Sequence, residues 1–334
     1  MINKIYEKVI NYIKENYGYL IVLALIIFLG FYHLPYNLYV GGGTINLKNR
    51  LEVENEYSEK GSFNLSYVTS YHATIPSYLL SYVFGWEREN INDTKLDEND
   101  SIEDIWEREK LYLQEANDNA ILSAYDAAQT NYQIKKEVLK ILYVDKDSET
   151  DLKIGDTILM VDNVEIKELS DLKNILNKYD VGDTISVKYL RNNEEKNGYI
   201  KVRLLDKEKK AGLYLIKLYE YELSRKVNLK FSSNEGGPSG GLMTSLAIYN
   251  RLTKDDITKG RKIVGTGTID RNGNVGEIGG VKYKIAGAVK GKCDVFFVPE
   301  GNYEEAMKVK KEKGYDINIV MVKTLDDAIN YLMR

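Results

Sequence analysis

The sequence is poor in the residue types on which many enzymes depend. Its 334 residues include one cysteine, Cys293, and two histidines, His33 and His72. A single cysteine forms no disulfide within the chain and no thiolate cluster for zinc. Since no histidine follows residue 72, a Ser-His-Asp triad in the C-terminal half is excluded.

Two further absences concern charge and phosphate binding. The formal net charge is −4, which gives no basic surface typical of nucleic-acid binding. The pattern G-x-x-x-x-G-K-[ST] does not occur, so no phosphate-binding loop of that type is present. We therefore expect no cofactor, no metal, no ATP and no nucleic-acid partner.

The N-terminal segment is long and apolar. No charged side chain occurs between Glu15 and Lys48, and residues 19–31 are the most apolar part. With its neighbours this run reaches the roughly 18–20 residues that a bilayer span needs. Aromatic residues typical of membrane interfaces lie near its ends: Tyr17, Tyr19, Tyr32 and Tyr36.

These patterns predict a cytoplasmic segment over residues 1–16 and a transmembrane anchor over residues 17–38. Lysines precede the run, so the positive-inside rule places the N-terminus in the cytoplasm and the remaining domains outside. A cleaved signal peptide is the alternative, since the small residues at 41–42 leave a cleavage site open.

A candidate nucleophile lies in a glycine-rich turn of the C-terminal half. The strand-like residues 227–231 lead to Gly236-Gly237-Pro238-Ser239-Gly240-Gly241, and a helical pattern follows. Ser239 is therefore predicted near a helix N-terminus, where backbone N–H groups around Gly237–Ser239 could stabilise an oxyanion. The plainer interpretation is a strand–helix connection with a capping serine.

The serine needs a base, and without a suitable histidine a lysine is the available residue type. Lys282 lies behind a second glycine turn, between the apolar segments 278–281 and 285–288. Burial there would lower its pKa toward neutrality, as a general base requires. A solvated helix lysine is the alternative, and Lys284 and Ser245 serve as neighbouring controls.

These two turns resemble the proteolytic domain of Lon-type serine proteases. In that family a Gly-Pro-Ser-(Ala/Gly)-Gly turn carries the nucleophile, and the first lysine of a Gly-Gly-(Leu/Val/Ile)-Lys-x-Lys turn is taken as the base. The resemblance assigns these roles to Ser239 and Lys282, with Gly237, Pro238 and Gly240 in support. It implies that Thr266 hydrogen-bonds the lysine amine. Gly236 departs from the family, which has an acidic residue at that position.

Residues 135–206 resemble a bacterial PDZ domain. The run Leu152-Lys153-Ile154-Gly155-Asp156-Thr157-Ile158, continuing to Val161-Asp162, carries the likeness. PDZ domains bind extended peptides by adding a strand to a sheet edge. The glycine-containing carboxylate-binding loop is not evident near 137–142, so we predict binding of extended peptides rather than capture of a C-terminal carboxylate, with a rigid spacer as the alternative.

The order of these parts resembles the membrane-anchored, PDZ-containing Lon-like serine proteases of Gram-positive bacteria. The resemblance implies an α+β fold, in which residues 44–134 and 207–334 form an α/β protease domain and the PDZ domain is inserted between them. It also implies an ATP-independent serine endopeptidase that cleaves secreted peptides or extracytoplasmic segments of small membrane proteins. Assembly into an oligomer stays open.

Two other functions remain open from the sequence. One is a membrane-tethered PDZ adaptor on a catalytically inactive Lon-like fold. The other is a different Ser–Lys enzyme, such as a signal-peptidase-like protease or an amidase, although the glycine–lysine turn and the PDZ unit do not fit those families.

Overall fold

The computed structural model describes residues 2–96, 100–205 and 207–334, and the predicted PDZ boundary at residue 206 lies outside these ranges. The α-helices, in chain order, are α1 (Ile2–Phe31), α2 (Ile75–Phe84), α3 (Ile91–Thr94), α4 (Ile102–Ala127), α5 (Leu169–Leu176), α6 (Gly241–Leu252), α7 (Val281–Lys290), α8 (Tyr303–Lys313) and α9 (Leu325–Met333).

The β-strands, in the same order, are β1 (His33–Asn46), β2 (Leu51–Val53), β3 (Ser62–Thr74), β4 (Glu87–Asn90), β5 (Tyr132–Val144), β6 (Thr157–Val161), β7 (Val164–Glu165), β8 (Thr184–Arg191), β9 (Glu194–Lys201), β10 (Arg203–Leu205), β11 (Glu208–Lys210), β12 (Leu213–Leu223), β13 (Val227–Leu229), β14 (Lys262–Gly265), β15 (Thr268–Ile269), β16 (Val275–Gly276), β17 (Val295–Pro299) and β18 (Ile319–Val322).

The smaller of two compact units comprises residues 1–40 and 68–95. Its helix α1 is long and apolar enough, from Ile5 to Phe31, to cross a membrane. The helix ends at Phe31 rather than at Leu38, where the sequence predicts the end of the span. The reason is that β1 begins at His33, and its residues Tyr36–Tyr39 pair antiparallel with β4.

The larger unit comprises residues 41–67 and 96–334, and it contains the residues of the predicted catalytic site. Its central strands are parallel, with β14 between β3 and β17, and with β18 beyond β17. Helix α4 packs against α6, and their buried side chains share one apolar core with those of α9. Since β3 pairs with β14, chain segments before and after the PDZ region form one domain.

The PDZ region lies between α4 and β13 and has its own apolar core. Strands β5 and β12 pair antiparallel from Tyr132–Leu223 to Val144–Leu213, so both ends of the region leave through one long ribbon. The base of this ribbon is held by α4, because Asp118 accepts hydrogen bonds from Tyr219 N and the Tyr221 hydroxyl, both at 3.1 Å. The insertion is therefore attached to the catalytic domain at both ends.

The Leu-Lys-Ile-Gly-Asp run has a structural explanation within the PDZ core. Gly155 adopts a left-handed conformation with φ +88, which favours glycine. The Asp156 carboxylate, almost fully buried, accepts a hydrogen bond from Lys153 N at 2.7 Å and forms a two-point ion pair with Arg191 at 2.8 and 2.6 Å. The carboxylate thus connects the turn before β6 to the end of β8.

Candidate active site

Ser239 lies where the sequence predicts it, in the turn before α6. Gly240 caps the helix, and Gly241 is its first residue. Both glycines face close neighbours, since a Cβ at Gly240 would lie 3.1 Å from the Leu65 side chain and one at Gly241 would lie 2.8 Å from Ile269. The serine turn therefore packs closely against β3 and β15, and larger residues would not fit at Gly240 and Gly241.

Thr266 follows the C-terminal end of β14 and is fully buried. Its backbone N–H donates to Phe297 O at 3.1 Å, which fixes it to the neighbouring strand β17. Its hydroxyl donates to Ser239 O at 3.1 Å, and the N–H of Gly267 donates to the same carbonyl oxygen at 2.9 Å. The serine is thereby tied to the carboxyl end of the parallel sheet, where ligands of such folds commonly bind.

The lysine that reaches Thr266 is Lys284. Its Nζ donates to Thr266 Oγ1 at 3.1 Å, and the residue is 4% exposed. Burial lowers the pKa of Lys284 to about 8, because the charged form loses its hydration. Since the Thr266 hydroxyl contacts both Ser239 O and Lys284 Nζ, one threonine connects the serine turn to a lysine whose pKa is lowered by burial to about 8.

Lys282, to which the resemblance assigns the role of base, lies in a different environment. Lys282 is exposed, and its amine lies over the Tyr283 ring, 4.8 Å from the centroid. The two lysines are two positions apart on α7, so their side chains leave the helix in different directions. The predicted hydrogen bond to Thr266 is made by the neighbour that we regarded as the control.

A signal for Lys284 was present in the sequence. Val281, Ile285 and Ala288 are buried on α7 with helical spacing, in the core beneath β14 and β17. Lys284 is three residues after Val281 and four before Ala288, so it belongs to this inward face. Lys282 does not, and the helical period distinguishes the two lysines where the local motif does not.

The backbone N–H groups of the serine turn that could stabilise an oxyanion differ in part from those predicted. The Gly237 N–H donates to Glu109 O at 3.1 Å, and proline has no N–H at position 238. Within the described parts of the chain, the backbone N–H groups of Ser239 and Gly240 have no hydrogen-bond acceptor. These two groups lie at the start of α6, where the helix dipole favours negative charge.

Glu109 of α4 is a neighbour of the serine turn that the sequence analysis missed. Its side chain packs against two glycines of the serine turn. A Cβ at Gly236 would lie 3.0 Å from Glu109 Cβ, and one at Gly237 would lie 3.1 Å from Glu109 Oε2. Burial raises the pKa of this carboxyl. Glu235 instead turns away to pair with Arg50 at 2.9 Å.

Other candidate groups lie apart from the site. Ser245 is fully buried within α6, and its hydroxyl lies 3.2 Å from that of Ser123. Ser245 is therefore a suitable control for the substitution of Ser239. The two histidines lie near each other in the smaller unit, with ring centroids 6.0 Å apart. Over the described ranges, the His, Cys, Asp and Glu residues form no group of three or more that could hold a metal ion.

Comparison with protein families identifies both globular regions. Residues 232–334 match the model of the Lon protease (S16) C-terminal proteolytic domain, and residues 129–202 match the PDZ domain model. The Lon protease of Trichlorobacter lovleyi is 33% identical over 98 residues, which make up 29% of this chain and 12% of that protein. The Lon protease of Campylobacter jejuni is 32% identical over 98 residues, with the same two coverages.

Two of the similar solved structures are PDZ domains. That of an SdrC-like protein from Listeria monocytogenes is 21% identical, covers 25% of this chain and 93% of its own, and gives a TM-score of 0.24. The corresponding domain from Listeria innocua is 26% identical, covers 23% and 92%, and gives a TM-score of 0.22. The family models confirm the predicted fold class: the chain contains a PDZ domain and a Lon-type proteolytic domain, and the curated relatives of the second are proteases.

The burial of Lys284 predicts an increase in stability when its charge is removed. The difference between a pKa of about 8 and the ordinary value of 10.5 corresponds to about 3 kcal/mol, and the lost hydrogen bond to Thr266 offsets about 1 kcal/mol. We expect Lys284→Met to raise the free energy of unfolding at pH 7 by about 2 kcal/mol, measured by urea denaturation.

This gain should depend on pH. Below about pH 8 the folded protein carries the full cost of the buried charge, and as the pH rises from about 8 to 10.5 that cost disappears. The gain should therefore shrink with rising pH. Lys282→Met is the matched control, expected to stay within about 0.5 kcal/mol of the wild type. A loss of stability in Lys284→Met at pH 7 would contradict this account of the lysine.

Proposed function

We propose that this protein is a serine endopeptidase in which Ser239 is the nucleophile and Lys284 the general base. The observation that carries the proposal is the Thr266 hydroxyl, which lies 3.1 Å from both Lys284 Nζ and Ser239 O. The match of residues 232–334 to a proteolytic domain supports the same reaction class. Neither a cofactor nor ATP enters the reaction.

The reaction begins with the neutral Lys284 amine. Because that amine donates one hydrogen to Thr266, its lone pair is available to accept the proton of the Ser239 hydroxyl as Ser239 Oγ attacks a peptide carbonyl. The negative charge that develops on the carbonyl oxygen is stabilised by the N–H groups of Ser239 and Gly240. Thr266 orients the amine and is a positioning residue.

The same lysine completes the cycle. Protonated Lys284 gives its proton to the leaving amine, and the peptide bond breaks to leave an ester on Ser239. Water then attacks the ester, with Lys284 again accepting a proton, and the second product is released as the serine regains its hydrogen. Each proton that leaves the serine or water is returned to a product or to Ser239.

The PDZ domain is proposed to capture the extended substrate. A cavity of about 280 Å³ lies where β5 and β6 diverge, and along their described residues these strands pair at one position, Lys140 with Thr157. A peptide could add there as a strand. Because both ends of the PDZ region are tied to the catalytic domain, a captured peptide is held at high effective concentration for Ser239.

The cellular setting follows from α1. We propose that α1 anchors the protein in the cell membrane with its N-terminus in the cytoplasm and the PDZ and catalytic domains outside. Substrates would be extended secreted peptides or extracytoplasmic segments of small membrane proteins, because the chain has no phosphate-binding loop of the P-loop type to drive unfolding. A cleaved signal sequence would give the same domains without the anchor.

Substitution of the two catalytic residues tests the assignment. We expect Ser239→Ala and Lys284→Met each to lower peptidase kcat/KM by at least about 1,000-fold, with the full-length protein in detergent and peptide cleavage followed by mass spectrometry. Lys282→Met and Ser245→Ala are the matched controls and should retain activity. Loss of activity in Lys282→Met with retention in Lys284→Met would return the base to Lys282.

The adaptor hypothesis has its own outcome in the same assay. A folded wild type that cleaves no peptide, in detergent or in liposomes, would favour a PDZ adaptor on an inactive fold. Retention of the serine, threonine and buried lysine in one hydrogen-bonded set argues for the enzyme.

The pKa of Lys284 predicts the pH dependence of the reaction. The active form is the neutral amine, so kcat/KM should rise with pH, with a midpoint near the pKa of about 8, and fall about tenfold per pH unit well below it. Lys282→Met should show the same midpoint. A profile that is flat between about pH 6 and pH 9 would contradict a lysine base of this kind.

A further inference from the structure

Helix α2 of the smaller unit exposes apolar side chains and buries a polar one. Its outward residues are apolar, with exposed fractions of 63% for Leu79, 46% for Leu80 and 77% for Val83. Its inward residue Ser81 is fully buried, and the Ser81 hydroxyl accepts a hydrogen bond from Arg88 Nη1 at 3.0 Å. A helix in water normally presents the opposite arrangement.

The helix is well defined at both ends and too short to cross a bilayer. Thr74 and Ser77 form a capping box at its start, and Gly85 ends it in the left-handed conformation with φ +64. Ten residues span about 15 Å, half of the roughly 30 Å apolar thickness of a membrane. The helix can therefore lie on a membrane but cannot span one.

Its position within the unit indicates what covers the apolar face. Helix α2 packs beside α1 within the smaller unit. His33 lies two residues beyond α1, and its ring centroid is 6.0 Å from that of His72. The ring centroids of Tyr36 and Tyr78 are 4.9 Å apart. Helix α2 therefore lies next to the chain segment that directly follows α1.

The aromatic and basic residues next to the apolar face are those typical of a membrane interface. Phe84 and Trp86 stack at 5.3 Å, and the Arg88 guanidinium lies 3.9 Å above the Tyr82 ring. No charged side chain occurs between residues 73 and 86. Tyrosine, tryptophan and arginine with apolar stems are the side chains that settle at the boundary of lipid and water.

From these observations we infer that α2 is an interfacial helix, whose face Leu79, Leu80 and Val83 inserts into the outer leaflet of a lipid bilayer. The inference rests on the proposed insertion of α1 in the membrane. Proximity to α1 favours lipid over a protein partner, because an exposed apolar helix held beside a membrane anchor is close to the bilayer surface. The chain then contacts the membrane through two elements, α1 and α2.

Spin labels on the full-length protein in phosphatidylcholine–phosphatidylglycerol liposomes test this directly. In a Cys293→Ala background, single cysteines at Val83 (α2), Leu25 (α1) and Glu194 (PDZ hairpin, in water) would carry the label. We expect the ratio of collision rates with oxygen and with a water-soluble nickel chelate to be several-fold higher at Val83 than at Glu194. Circular dichroism checks the fold of each variant.

The Leu25 label separates the failure of this inference from the failure of the anchor. A high ratio at Leu25 with a low, Glu194-like ratio at Val83 overturns the interfacial helix and leaves the anchor. A low ratio at Leu25 overturns the anchor, and the inference with it. Spin–spin broadening at Val83, with both collision partners excluded, would show that a second copy of the chain covers the face.

Discussion

The desolvation of one lysine, Lys284, is the constraint on which the proposed active site depends. Lys284 is on the inward face of α7, where Val281, Ile285 and Ala288 pack into the core below the parallel strands. That packing fixes the amine near Thr266 and makes its charged form costly. In the proposed mechanism, the same burial lowers the pKa of the lysine enough for it to act as a base, and Thr266 joins it to the serine turn after the end of β14.

The inserted PDZ region leaves the environment of Lys284 intact because it joins the catalytic domain through the ribbon of β5 and β12, and not through α7 or the serine turn. Strands β5 and β12 leave the catalytic domain beside α4, where Asp118 holds the ribbon base. The same helix carries Glu109 to the serine turn, so α4 contacts both the insertion and the two glycines before Pro238. In the proposed mechanism, α4 thus joins the domain that captures the substrate to the turn that carries the nucleophile.

Local patterns predicted the parts of the site that local geometry determines. Glycines and proline before a helical pattern placed Ser239 at the start of α6, and Thr266 was expected to contact the base. The motif position selects Lys282, whereas the helical face that carries Val281 and Ile285 directs Lys284 toward Thr266. Glu109 could not be predicted, because only tertiary packing brings α4 to a turn distant in sequence.

The most direct test of the central claim is the titration of the Lys284 side chain itself. In protein with carbon-13-labelled lysine, the Cε resonance of Lys284, assigned by its absence from Lys284→Met, can be followed by NMR through the alkaline range. The account predicts a midpoint near the pKa of about 8, well below those of the exposed lysines. A midpoint near the ordinary value of 10.5 would contradict a neutral, buried base and with it the proposed mechanism.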